Sequence, residues 1–293
     1  MPQTTRRVFL KQSMAVGALA GAAGLLGRAL AAEAPAATGK MRLGFVTYLW
    51  GQDWDLPTLI ANCAKTGILG VEPRVEHKHG ITLRLSADER KAVRKRFADS
   101  PVTFVGMGTN ECFDSNDPAK LAKNIENTKA WLQLSADCGG SGVKVKPNDF
   151  QKGVAREKTI EQIGKSLNEL GKAAADLGQQ LRLEVHGSCC ELPTIKAIMD
   201  IAKHPSVGVC WNCNDEDLKG EGLVANFAMV RDRLGATTHV RELNVGSYPY
   251  QELIRLLAKA KYAGWVLLEC RTKPADRAQA MIEQRQVFEK MLV

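Results

Sequence analysis

Histidine is scarce in this chain, with five in 293 residues. A multinuclear zinc centre of the phosphodiester-cleaving kind would want more of them, gathered in one region. No second Cys-x-x-Cys accompanies Cys210 and Cys213, which excludes a zinc ribbon. No Gly-x-Gly-x-x-Gly follows the first apolar run, which argues against a dinucleotide-binding sheet. Acids are missing too from the first 31 residues, where Arg6, Arg7, Lys11 and Arg28 stand unopposed. Setting those four charges aside lowers the formal +8 to +4, a mildly basic surface that gives no reason to expect nucleic acid as a partner. What remains, 45% hydrophobic and 25% charged, is the composition of an ordinary soluble globular protein.

The opening residues form a separate unit. A charged start, a weakly apolar Ala/Gly/Leu run and Ala29-Leu30-Ala31 as a cleavage site make residues 1–31 an export signal. The run is too short and too glycine-rich for a lasting membrane anchor. Thr5-Arg6-Arg7-Val8-Phe9-Leu10-Lys11 resembles the twin-arginine export motif, which implies a protein folded before export and a periplasmic or secreted location. A short Ala/Pro/Thr linker, residues 32–40, leads to a single domain over 41–293.

Within that domain, eight short apolar or β-branched runs each precede an amphipathic segment, and several of those segments end in glycine. The runs are 41–50, 70–74, 102–108, 141–148, 181–187, 207–213, 238–245 and 264–270. Ser86 and Asp117-Pro118 are helix starts. Eight β-α repeats in about 250 residues predict a parallel sheet closed into a single (β/α)8 TIM barrel, with an open doubly wound sheet as the alternative. Catalytic groups in such a barrel stand at the C-terminal ends of the strands.

The last four strand ends carry Glu184, Asn212, His239 and Glu269, spaced 28, 27 and 30 residues apart, one β-α unit each. Carboxylate, amide, imidazole and carboxylate form a mixed oxygen/nitrogen set suited to a hard or borderline divalent ion. In "LEVHG", "HVREL" and "LLECR" the chain resembles the xylose isomerase-like barrels, the sugar phosphate isomerases and epimerases related to the apurinic endonucleases of family 2. The likeness runs from Met41 to the end. It implies metal binding by Glu184, Asn212, His239 and Glu269, with Mn or Mg expected and Zn or Co as alternatives. Where that family has an aspartate after strand six, this chain has Asn212, which costs the set one negative charge. Asp215, three residues on, falls where related barrels place a substrate-contacting group.

The two cysteines of "VGVCWNCND" are read as structural thiols. Residues three apart on a strand face opposite ways, and no helix N-terminus is available to stabilise a thiolate. Cys189 and Cys190 are free or bridged elsewhere. Glu72 and Arg74 end strand two as substrate contacts or as a rim ion pair. Lys144 and Lys146 share the inward face of strand four, where lysine is unusual; Lys146 is assigned acid–base work, and Lys144 neutralises a carboxylate or touches substrate. His186 shares a face with Glu184 as a proton relay, Arg182 lies beneath as a carboxylate partner, and Arg241 and Trp50 complete the expected substrate contacts.

The expected reaction follows from these roles. Glu184 and Glu269 remove and return a proton beside a metal-polarised carbonyl of a free sugar or keto-sugar, assisted by His186 or Lys146. A keto-sugar lyase or dehydratase would use the same site, and a non-catalytic sugar-binding barrel is the alternative that Asn212 favours. The expected partner is a small carbohydrate. Such barrels commonly pair, so a homodimer is also an expectation.

Overall fold

The computed structural model describes residues 40–293; the expected export signal and most of the expected linker lie outside the described residues. The chain alternates strand and helix from β1 (Arg42–Val46) and α1 (Leu56–Thr66) through β2 (Gly70–Glu72) and α2 (Ala87–Ala98). Next come β3 (Thr103–Phe104), β4 (Met107–Cys112), α3 (Pro118–Asp137), β5 (Gly142–Lys146) and α4 (Arg156–Asp176). β6 (Gln180–Glu184), α5 (Leu192–Ile201), β7 (Val207–Cys210) and α6 (Gly222–Val230) follow. β8 (Thr237–Val240), α7 (Tyr250–Lys259), β9 (Trp265–Leu268) and α8 (Arg277–Met291) complete the series.

Local chemistry sets the helix ends. Asp55 accepts from the Thr58 N–H at the head of α1, and left-handed Gly67 ends that helix. Ser86 and Glu89 form a reciprocal capping box on α2, and Asp117 followed by Pro118 opens α3.

All strand pairs are parallel. They form two sheets, β3-β2-β1-β9-β8 and β4-β5-β6-β7, which together make the eight staves of a TIM barrel. Parallel bridges between Arg74 and Gly108, and between Asn212 and His239, join the sheets at the two seams. The third stave departs from its expected continuous run at 102–108. It breaks at Val105–Gly106 and then continues to Cys112. Gly106 has a φ of 148°, and a β-carbon there would collide with the Gly142 carbonyl, so only glycine fits the break. The carbonyl of Val105, freed from regular pairing, accepts from Ser141 and from buried Arg182.

Branched and aromatic side chains fill the layer between strands and helices, including Val71, Val143, Leu181, Val209 and Leu268, all essentially fully buried. The barrel interior differs. Glu72, Lys144, Arg182, Glu184 and His239 are buried charged or titratable groups on its strands. Such groups are costly unless paired, and their pairing defines the site.

Candidate metal centre and its surroundings

Glu184 is the last residue of β6, His239 lies inside β8, and Glu269 follows β9. Each offers a donor atom within 4.8 Å of the others, and all three residues are buried. The imidazole of His239 is fixed from behind, with Nε2 at 3.1 Å from Oε1 of Glu72. Its Nδ1 is buried, has no hydrogen-bond partner, and lies 3.4 Å from Oε1 of Glu184. A histidine held at one nitrogen by a buried carboxylate, with the other facing a second carboxylate in the donor cluster, is how metal-ligating imidazoles are oriented. The donor set therefore fits a divalent ion.

Each carboxylate has a second oxygen tied elsewhere. Lys144 Nζ binds Glu184 Oε2 at 2.7 Å and the Thr109 carbonyl at 3.1 Å. Arg74 Nη1 binds Glu269 Oε1 at 3.2 Å. Burial would raise the Glu184 carboxyl, but Lys144 and His239 outweigh it and hold it well below the usual carboxylate range. Burial likewise opposes charge on His239, yet Cys210, Glu72 and Glu184 around the ring raise it well above an ordinary imidazole. A metal bound at Nδ1 must displace that proton, so binding tightens as pH rises.

Asn212, just past β7, turns its amide N–H toward Glu184 Oε1 at 3.0 Å. It enters the site as a hydrogen-bond donor to a carboxylate, beside the three charged or imidazole donors. Lys146 and His186 are half-buried at the rim. Burial and the neighbouring Lys144 push Lys146 down to about 8, a range useful for moving protons near neutral pH. His186 is lowered by burial, and its Nδ1 is buried without a partner.

Several sequence-derived roles change. Glu72 is fully buried behind His239, which removes it from direct contact with substrate; Arg74 pairs with Glu269 instead of with Glu72. Lys144 is likewise sealed, as the cation of Glu184, so of its two expected roles the structure shows the neutralising one. Trp50 is buried with its indole N–H on the Thr272 carbonyl, bracing the loop after β9. Arg182 donates to Gln180, Val105 and Ser141, all neutral acceptors, and not to a carboxylate. His79, in the loop after β2, uses both ring nitrogens on the backbone of Arg74 and Ile81. All eight cysteines are free. Arg241 is half-buried with a buried, unpartnered Nε.

Asp215 stands exposed at the head of a short 3-10 turn, and the buried acid of that turn is Asp217. Asp217 accepts from the Tyr248 hydroxyl at 2.7 Å and the Asn214 N–H at 3.0 Å. Burial pushes it up to about 7. The folded state then keeps a proton that the unfolded chain releases near 3.9, so stability falls as pH rises from about 4 to about 7. Asp217→Asn should remove that slope. Urea midpoints at pH 5 and pH 8 check this: the variant should gain on the parent at pH 8, and equal differences at the two pH values would refute it.

Asn110, in β4, is a residue that sequence reading missed. Its Oδ1 accepts from Arg74 Nη2 at 3.0 Å and from Lys146 Nζ at 3.1 Å. The signal was present in "TNEC" after Gly108, but the strand was expected to end before it.

The architecture is a parallel eight-stave barrel with carboxylates and an imidazole converging at the strand ends. The chain belongs to the xylose isomerase-like TIM barrel family, whose model matches residues 60–291. Among solved structures it resembles 3-keto-D-glucoside 4-epimerase YcjR from E. coli, with 16% identity, 86% of this chain and 100% of that one covered, and a TM-score of 0.73. It also resembles an L-ribulose 3-epimerase at 16% identity, covering 86% and 95% of the two chains with a TM-score of 0.74. The IolI protein with a bound zinc atom matches at 16% identity, 86% and 97% coverage, and a TM-score of 0.70. At these identities the likeness establishes the fold. No curated protein matches the sequence.

Proposed function

We propose that this protein is a metal-dependent isomerase or epimerase of a free, non-phosphorylated sugar or keto-sugar, working outside the cytoplasm after export. The observation that carries the reading is the convergence of Glu184, His239 and Glu269, with His239 Nδ1 left open and Nε2 anchored on Glu72. A divalent ion held there would supply Lewis acidity to a substrate carbonyl and its neighbouring hydroxyl.

The chain's own groups do the rest. Glu269 stands at one end of the donor cluster, restrained by Arg74, and removes the proton next to the carbonyl. Glu184, restrained by Lys144 and Asn212 and ionised at rest, relays to the opposite face a proton drawn from Lys146 or His186 at the rim. Two fixed carboxylates facing a common centre can deprotonate one face and reprotonate the other, which inverts a carbon. Lys146 and His186 at the rim exchange protons with the substrate hydroxyls. That two proteins of like fold are sugar epimerases supports this reading.

The test is solvent exchange. Purified protein supplied with Mn should incorporate deuterium from D2O at the carbon beside the carbonyl of at least one member of a keto-sugar panel. Exchange absent across the panel, in protein shown to contain the metal, would overturn the assignment.

A further inference from the structure

The charges around the site do not balance, and the imbalance bears on what binds. Each of the three carboxylates around the donor cluster already has its own cation or imidazole: Lys144 on Glu184, Arg74 on Glu269 and His239 on Glu72. Beside Arg182, which donates only to neutral acceptors deeper in the barrel, Lys146 is left over at the rim. It forms no ion pair among the described residues, and its hydrogen bond goes to the neutral amide oxygen of Asn110. Arg74 donates to that same oxygen, so an ammonium and a guanidinium are held no more than about 6 Å apart by one uncharged acceptor, a repulsive arrangement in a half-buried place. A divalent ion in the adjacent site would only enlarge the surplus.

Resting on the sugar-enzyme reading above, we propose that the substrate is a sugar acid whose carboxylate is received between Arg74 and Lys146, in place of the Asn110 amide oxygen. A carboxylate can accept from Arg74 Nη2 and from the Lys146 ammonium together, forming the charge-assisted pair that Asn110 cannot. Asn110 then acts as a placeholder that keeps both cations aimed inward when the site is empty of substrate. A neutral sugar offers only an uncharged oxygen in its place, which leaves the two cations as unmatched as before.

Calorimetric titration of the Mn-supplied protein would compare D-fructuronate and D-tagaturonate with the neutral D-fructose and D-tagatose and with D-fructose 6-phosphate. The acids should bind at least about ten-fold tighter than their neutral counterparts, a preference that shrinks with added salt. In Lys146→Gln that preference should collapse to within about two-fold. Equal affinity for acid and neutral sugars, a preference that survives in Lys146→Gln, or tighter binding of the phosphate would each overturn the proposal. Acid-selective binding without deuterium exchange would sink the catalytic reading and leave this one standing; exchange on neutral sugars with no acid preference would do the reverse.

Discussion

Replacing Glu269 with glutamine is expected to abolish deuterium exchange into the substrate while leaving the barrel folded. Glutamine keeps an oxygen for Arg74, which now binds Glu269 Oε1 at 3.2 Å, so the local hydrogen bonding survives. What disappears is the basic carboxylate. General acid–base groups contribute about 10²–10⁴-fold in rate, and loss of exchange by at least that factor is the expected result. The control is an unchanged far-ultraviolet spectrum and a melting temperature within a few degrees of the parent. Retained exchange in the folded variant would remove Glu269 from the proton transfer.

Lys144→Met should act on the fold itself. Lys144 and Glu184 are a 2.7 Å ion pair with both side chains almost wholly buried, 1% and 2% exposed. The methionine fills the space but leaves Glu184 Oε2 charged and unmatched in the barrel axis. Breaking one side of such a pair costs about 3–5 kcal/mol. For a domain of this size that lowers the melting temperature by roughly 10 °C. Adding Glu184→Gln in the same chain removes the stranded charge and should recover most of the loss. A double variant as unstable as the sum of the singles would show that the two groups do not act on each other.

The pattern of eight strands was legible because parallel strands buried on both sides read as short apolar runs, each followed by a helix with its own stop signal. Ser86, Asp117 and Gly67 marked helix ends that the structure reproduces. The order and spacing of Glu184, His239 and Glu269 were equally visible, since one β-α unit separates neighbours. The break at Gly106 was not, because a change of sheet leaves no periodic trace and shows only as a glycine among apolar residues. Missing that break hid Asn110. Roles that depend on what lies opposite were also hidden: Glu72 serves His239 from 167 residues away, and Arg74 reaches Glu269 across 195. Strand alternation says which residues point inward, but not which partner each will find there. Asp217 was overlooked for a related reason, since its burial under Tyr248 comes from a loop 31 residues further on.

The central claim is that three side chains from separate staves serve one ion. Crystals soaked in Mn and measured for anomalous scattering test it directly. The account predicts a single strong peak at about 2.0–2.4 Å from Glu184 Oε1, His239 Nδ1 and a Glu269 carboxylate oxygen, absent in a His239→Ala crystal. A fully soaked crystal with no peak at that position, or with its metal bound elsewhere, would contradict it.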